Sequence, residues 1–336
     1  MTQRATLSLE ILCPGLLISV PADWVPETSN LSSLERMLSR AVVQPEYSDD
    51  IARNLGHRFG VEPVRHEDFP EAALALLGMS IDPGGGYWLR ADPVCLQADR
   101  DELVLQAMPA DALTREEATA FVSRFNDHFE SEGWQLVAPQ QHLWYLRAPR
   151  PLAVQTSRLD AVLGRGIGDD LPRGDDAGVL RRLLTEAEML LHEMMRGFGG
   201  SADLPSLPNS LWLSGGGTVP LVPPRGWDAV RGDDPLLRGL AVAGGKLPGD
   251  AAEPLPATGR TLFYSDVMIN ALRAGDRTAF EAGLRLVATR VAEGVAMLRT
   301  GAIRRLRVSD GVSRVWETGR RRRWWRPVRP YHVLSG

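Results

Sequence analysis

One block of the sequence, residues 87–149, constrains the fold most because strand and helix patterns alternate within it. The block opens with YWLRADPVCLQADRDELVLQA, whose alternating apolar and polar residues predict two strands joined by a turn. A helix is predicted over TREEATAFVSRFNDHFESEG, with Thr114 as its cap, Glu117 at the third helical position and Gly133 at its end. A strand pair is predicted over WQLVAPQQHLWYLRAP. The block therefore predicts a sheet with a helix packed on it.

Strand and helix patterns also alternate outside this block. An opening strand is predicted over LSLEILCPGLLISV, followed by a helix with a capping box formed by Ser32 and Glu35. Longer helices are predicted over 177–195 and 278–299, and closing strands over AIRRLRVSDG and VSRVWETGRRRRWW. The predicted fold class is therefore α/β, a mixed sheet with flanking helices.

The composition narrows the functional class. The 336 residues are 44% hydrophobic and 24% charged, as in a soluble globular protein, and the net charge of −4 gives no reason to expect a nucleic-acid partner. Both cysteines, Cys13 and Cys95, lie in apolar strand patterns, so we expect buried, inert thiols. A helix needs about 20 apolar residues to span a bilayer, and no apolar run here is nearly that long. The N-terminus is interpreted as a strand and turn and not as a signal peptide, so we expect a cytoplasmic protein.

The tail GRRRRWWRPVRP is strongly basic and contains Trp324 and Trp325. Arginine and aromatic side chains together can grip phosphates and stack on bases. A solvated final strand with two packed tryptophans is the commoner arrangement, and the acidic balance of the whole chain favours it.

The segment from Pro208 to Pro224, PNSLWLSGGGTVPLVPP, runs from an apolar strand pattern into Gly215, Gly216 and Gly217. Glycines let a backbone approach a ligand closely, and the N–H groups of a loop can bind an anion. The spacing matches neither G-x-G-x-x-G nor G-x-x-x-x-G-K-S/T, and prolines follow in place of a helix. The pattern therefore favours a strand that ends in a structural turn over a phosphate loop.

The same segment resembles a motif of the archaeal-type cofactor-independent phosphoglycerate mutases, close to N-x-I-W-L-W-G-x-G-x-x-P. Ser214 stands where the motif has its second tryptophan. The matching residues are Asn209, Leu211, Trp212, Leu213, Gly215, Gly217 and Pro220.

A closer resemblance is to the bacterial RpfE-type regulatory proteins, which are described as phosphoglycerate-mutase-like. The phrases that resemble theirs, in the correct order, are LRADPVCLQADRDELVL, FNDHFESEGWQLVAPQQHLWYLR, NSLWLSGGG and GDDPLLRGLAVAGG. The resemblance implies an alkaline-phosphatase-like fold. Residues 1–86 and 246–336 are then expected to form a discontinuous α/β core, and residues 87–245 a mutase-like middle region.

The mutases use a hydroxyl nucleophile beside two metal ions held by Asp and His, because phosphoryl transfer needs its developing charge neutralised. This sequence departs from that pattern. The first strand leads into ISVPADWVPETS, where Asp23 is a lone candidate ligand and Thr28 and Ser29 are candidate nucleophiles by proximity only. The only histidine after Gly245 is His332. We therefore expect a degenerate relative with no metal and no cofactor, and we assign no catalytic residue.

A ligand cleft is still expected where two loops follow neighbouring strands. Acidic residues in such loops can bind ligands, although acids before a proline are also ordinary turn residues. The candidate ligand-binding residues are Asn209, Trp212, Gly215, Gly216, Gly217, Asp233 and Asp234.

Three functions stay open. The first is a non-catalytic regulatory or ligand-binding protein, whose partner is a small phosphorylated metabolite or another protein. The second is a cofactor-independent phosphoglycerate mutase, or another phosphotransfer or phosphohydrolase enzyme, with a rearranged site. The third is an interaction protein that works through the basic tail. The missing Asp and His clusters favour the first.

Overall fold

The computed structural model describes residues 7–18, 20, 24, 31–62, 67–99, 102–108, 112–197, 207–223, 226–319 and 326–334. In chain order its strands and α-helices are β1 (Ser8–Leu12), α1 (Ser32–Arg40), β2 (Val42–Pro45), α2 (Ile51–Phe59), α3 (Glu71–Gly78), β3 (Tyr87–Asp99), β4 (Glu102–Ala107), α4 (Arg115–Phe129), β5 (Gln135–Gln140), β6 (Leu143–Ala148), α5 (Leu159–Val162), α6 (Ala177–Gly197), β7 (Ser210–Gly217), β8 (Ala229–Arg231), α7 (Pro235–Ala243), β9 (Arg260–Tyr264), α8 (Val267–Ala274), α9 (Arg277–Thr300), β10 (Arg305–Ser309), β11 (Arg314–Gly319) and α10 (Tyr331–Leu334).

The chain divides into two units. The core unit comprises Met1–Glu62 and Leu221–Gly336, and the inserted unit comprises Pro63–Pro220. The sequence predicted a middle region of residues 87–245, and the inserted unit both begins and ends earlier than that region. The difference arises because α3 packs on β3 and β7, whereas α7 packs on α2 and β8 pairs with β9. The sequence pattern identified these elements without showing which sheet they cover.

The core unit is built on a mixed sheet with the strand order β2-β11-β10-β1-β9-β8. Strand β1 is parallel to both β10 and β9, β8 is parallel to β9, and β11 and β2 are antiparallel to their neighbours. Helices α1, α8 and α9 bury their apolar side chains against one face, together with Leu9 and Ile11 of β1. Successive strand residues point to opposite faces, so Glu10 lies on the other face, where it meets α2.

The inserted unit has an antiparallel sheet organised around β3. Strand β7 pairs with one edge of β3, while β6 and then β4 pair along its other edge. Leu89 and Ala91 contribute to a core with α4 and α6, and Trp88 points to the opposite face and packs with α3. Together the two sheets and their helices confirm the predicted α/β fold class.

The two predicted capping boxes have different outcomes. Helix α4 has the complete box: Glu117 N–H donates to Thr114 Oγ1 at 3.1 Å, and Thr114 N–H donates to Glu117 Oε2 at 2.7 Å. Helix α1 begins at Ser32 as predicted, but its cap residue is Leu31 and no side chain caps it. Glu35 is buried and instead accepts a hydrogen bond from Tyr331 N–H at 2.9 Å. The predicted box at Ser32 is therefore wrong.

The closing strands β10 and β11 are confirmed, and β11 ends at Gly319. Trp324 and Trp325, which were expected to pack in the final strand, lie outside the described residues. None of the described helices combines the length and apolarity that a membrane span requires.

Candidate functional sites

The glycine segment is part of a strand. The sequence predicted a turn at Gly215–Gly217, but β7 continues through Gly217 and the predicted turn is wrong. Trp88 pairs with Gly217 and Arg90 with Ser214, so Gly215 and Gly216 together lie opposite the single residue Leu89. Gly215 has a φ of +62°, in the left-handed region. An extra residue with a left-handed glycine defines a β-bulge, which bends the strand without ending its pairing.

The glycines allow the segment before α3 to pack directly on β7. A Cβ atom added to Gly217 would lie 2.5 Å from Pro70 Cβ, and one added to Gly215 would lie 3.0 Å from Glu71 Cβ. A Cβ atom added to Gly216 would lie 2.5 Å from the Tyr87 hydroxyl oxygen. Close packing, together with the left-handed φ of Gly215, therefore explains the three glycines without a ligand.

The candidates Asn209, which precedes β7, and Trp212, on β7, also make internal hydrogen bonds. The Asn209 side chain accepts from Leu96 N–H at 2.7 Å and donates to the Leu96 carbonyl at 2.9 Å, which extends the pairing of β3 and β7. Trp212 is buried and its indole N–H donates to the Ser157 carbonyl at 2.7 Å. Both residues therefore join neighbouring segments of the inserted unit.

An acidic network surrounds the glycines, and sequence reasoning missed it. Gly216 N–H donates to Asp68 Oδ2 at 3.3 Å, and Asp68 Oδ1 also accepts from Thr156 N–H at 2.9 Å. Glu71 forms an ion pair with Arg158. Burial, together with the nearby Asp68 carboxylate, raises the pKa of the Tyr87 hydroxyl. The N–H that a phosphate loop would offer to an anion is thus directed at a carboxylate.

Asp233 and Asp234 belong to the core unit, whereas Asn209–Gly217 belong to the inserted unit. Asp234 is the cap residue of α7, and its side chain accepts from Leu237 N–H at 2.8 Å. Asp233 accepts from Ala251 N–H at 3.1 Å. Both carboxylates therefore stabilise the chain after β8, and the cleft that they were expected to share with the glycine segment stays a prediction.

The parallel strands of the core unit end at one edge of their sheet, where open α/β folds commonly bind ligands. Cys13 follows β1 and Ser265 follows β9, and the two are neighbours because Ser265 N–H donates to the Leu12 carbonyl at 3.1 Å. Cys13 N–H donates to the Ser309 carbonyl of β10 at 2.9 Å, which brings Asp310 to the same edge. This carboxyl edge is the second candidate site.

Most polar groups at the carboxyl edge have internal partners. Asp310 Oδ1 accepts from the N–H groups of Val312, Ser313 and Arg314 at 3.1, 2.8 and 2.9 Å. Asp266 Oδ2 accepts from Asn270 Nδ2 at 2.7 Å. Asp310 therefore holds the turn that follows β10, whereas Asp266 bonds to Asn270 of α8, the helix that it precedes.

Two buried side chains at this edge, Cys13 and Ser265, are not used in this way. Burial, with a smaller effect of the Asp266 carboxylate, raises the pKa of the Cys13 thiol, which is therefore a poor nucleophile at neutral pH. Both cysteines are buried and unpaired, as predicted. The Ser265 hydroxyl is buried and has no hydrogen-bond partner among the residues that the structure describes.

Asp23, Thr28 and Ser29 are outside the described residues. In the described ranges, no three His, Cys, Asp or Glu side chains converge as a metal-binding group.

Comparison with known proteins gives a structural likeness only. The sequence matches no protein-family model, and no curated protein matches it. The structure is similar to that of the PH0037 protein from Pyrococcus horikoshii, with a TM-score of 0.52 and 13% identity, over 94% of this chain and 88% of that one. A cofactor-independent phosphoglycerate mutase from Thermoplasma acidophilum aligns with a TM-score of 0.43 and 16% identity, over 94% of this chain and 90% of that one. The likeness to the PH0037 protein shows that the two chains share a fold.

Proposed function

We propose that this chain is a non-catalytic, ligand-binding or regulatory relative of the archaeal-type phosphoglycerate mutases, of the RpfE type. The proposal rests on one observation: carboxylates at the carboxyl edge accept hydrogen bonds from the chain itself. Asp310 accepts three backbone hydrogen bonds through one oxygen, and Asp266 is bonded to Asn270. A metal-assisted phosphoryl transfer needs carboxylates that are available to divalent cations. Here Asp310 stabilises a turn and Asp266 bonds to the start of α8 instead.

The motif at Asn209–Gly217 supports descent from a mutase but adds no chemistry. Its polar groups bond to Leu96 and Ser157, and its glycines pack on the segment before α3. These contacts explain how the motif could persist after loss of the reaction, since each residue is needed for packing of the inserted unit. The expected ligand is a small phosphorylated metabolite.

The second candidate function is a phosphotransfer or phosphohydrolase activity with a rearranged site. It is favoured by Ser265, because leaving a buried hydroxyl unbonded costs about 1–3 kcal/mol. A substrate oxygen at the carboxyl edge would remove that cost. Ser265 also directly precedes Asp266, so a hydroxyl and a carboxylate lie together there.

A turnover assay separates the two candidates. The protein is incubated with 3-phosphoglycerate and Mn²⁺ or Mg²⁺, and 2-phosphoglycerate and inorganic phosphate are measured. The proposal expects neither product, together with a rise of Tm in 3-phosphoglycerate, since a ligand of the native state stabilises it. Metal-dependent turnover that is lost in Ser265→Ala and retained in the surface variant Arg115→Gln would establish the enzyme instead.

A further inference from the structure

Three arginines line a small pocket on the core unit. Arg36 and Arg40 come from α1, Arg299 comes from the last turn of α9, and the hydroxyl residues Ser33 and Thr318 complete its polar lining. The pocket has a volume of about 40 Å³. One water needs about 10–15 Å³ on this measure, so the pocket has room for a group of the size of a small polyatomic ion.

The positive charge of this pocket is not neutralised by the part of the chain that the structure describes. No described carboxylate lies within 4.0 Å of the three guanidinium groups. Arg36 donates to the Ser32 carbonyl at 3.0 Å and to Ser32 Oγ at 3.3 Å. Arg40 donates one hydrogen bond, to the Arg326 carbonyl at 3.1 Å. Each guanidinium has five N–H donors, so most donors of these arginines have no partner among the described residues.

Helix ends explain only part of this arrangement. Arg40 and Arg299 lie in the last turns of α1 and α9, where a cation compensates the partial negative charge of the helix end. Arg36 lies one turn earlier and gains little from that effect. Elsewhere in the core unit, arginines such as Arg285 and Arg305 face a glutamate. Helix ends therefore do not account for Arg36, and none of the three arginines has an anionic partner among the described residues.

We propose that this pocket binds the phosphate group of a small phosphate monoester. A phosphate group carries about −1.5 to −2 charges at pH 7 and presents three acceptor oxygens, which suits a pocket lined by several arginines. Arginine pairs with phosphate through two parallel hydrogen bonds, which a lysine does not provide. The site is distinct from the carboxyl edge, and it would bind phosphate whether or not the chain has catalytic activity.

The test is calorimetric titration of the full chain with inorganic phosphate in a low-chloride buffer. We expect one saturable site. The double variant Arg40→Gln/Arg299→Gln should raise the Kd for phosphate at least about tenfold, because it removes two charge-assisted donors. The matched control is Arg115→Gln/Arg304→Gln, which removes the same charge from two exposed arginines outside the pocket and should change the Kd less than about twofold.

Further titrations identify the source of the phosphate group. If 3-phosphoglycerate binds more tightly than inorganic phosphate and the pocket variant loses that advantage, a free metabolite is the ligand. If a phosphoserine peptide alone shows this gain, the phosphate belongs to a partner protein and the small-ester assignment is wrong. Equal weakening in the pocket and control variants, or no saturable binding by the wild type, would overturn the site. Neither result depends on turnover, so loss of this site leaves the non-catalytic assignment, which the turnover assay tests, standing.

Discussion

Replacing Arg58 tests the polar layer between α2 and the core sheet. Arg58 Nε lies 2.7 Å from Glu10 Oε1, and its Nη2 lies 2.6 Å from Glu46 Oε1. All three side chains are at most 6% exposed. Glu10 has a second partner in Arg307 at 3.2 Å, and Glu46 bonds to the Ser309 hydroxyl. Removing Arg58 would leave Glu46 without a cationic partner in the described part of the chain.

The expected loss follows from that burial. Removing one partner of a buried ion pair costs about 3–5 kcal/mol, because an uncompensated charge remains in a medium of low dielectric constant. No discount for solvent screening applies, since the side chain of Arg58 is 5% exposed. A domain is stable by about 5–15 kcal/mol, so Arg58→Met should remove a large share of the core unit's stability.

The assay is urea denaturation followed by circular dichroism, with Arg53→Met as the matched control. Arg53 lies on the same helix, but its side chain is 36% exposed and 4.0 Å from Asp50, so its replacement should cost less than about 1 kcal/mol. The triple variant Glu10→Gln/Glu46→Gln/Arg58→Met removes the stranded charges and should recover much of the loss. The reasoning is refuted if Arg58→Met and Arg53→Met lose the same free energy of unfolding. It is also refuted if the triple variant is less stable than Arg58→Met.

Three further predictions concern single sites. Gly217→Ala should lower the free energy of unfolding by about 1–3 kcal/mol, because the new Cβ atom meets Pro70. The control Gly178→Ala lies on α6, where a new Cβ atom has nothing within 4 Å, and should leave the free energy of unfolding unchanged or raise it. Urea midpoints measure both effects. The pKa of Asp176 is lowered from 3.8 to about 2, first by hydrogen bonding to Arg150 and then by the Ala153 N–H. The ionised carboxylate therefore contributes stability above about pH 4, and this contribution is lost as the pH falls through about 2. In urea titrations, Asp176→Asn should be less stable than the wild type at pH 6, and the difference should disappear near pH 2. The buried Cys13 thiol, with its raised pKa, should not react with a disulfide reagent in the native protein and should react at once in urea.

Local sequence patterns predicted the helices well where the deciding contacts are local. The box of Thr114 and Glu117 lies within one helical turn, and it forms as expected. Ser32 and Glu35 have the same spacing, yet Glu35 bonds to Tyr331 N–H, which is 296 residues away along the chain. No local pattern contains that contact, because it depends on how the C-terminal helix docks on α1.

Contacts that are distant in sequence also explain why the role of the glycine segment was not predicted. Its sequence showed that β7 needs glycine, but the reason lies in Pro70 and Glu71, which precede it by more than a hundred residues. Asp68 bonds to Gly216 N–H across 148 residues. A single acid in a loop gave no signal for this contact. The interpretation as a turn failed for a related reason, since a bulge is defined by pairing with β3 and not by the strand's own sequence.

Asp310 shows why a carboxylate at a sheet edge is weak support for a metal site by itself. Each hydrogen bond to a charged group contributes about 1.5–3 kcal/mol to stability. Asp310 Oδ1 accepts three of them from consecutive N–H groups of the turn between β10 and β11. A divalent cation at that oxygen would have to replace these bonds and open the turn that pairs the two strands. The hydrogen-bonding capacity of Asp310 Oδ1 is therefore used to hold the chain's own backbone, and its position at the sheet edge alone does not indicate a metal site.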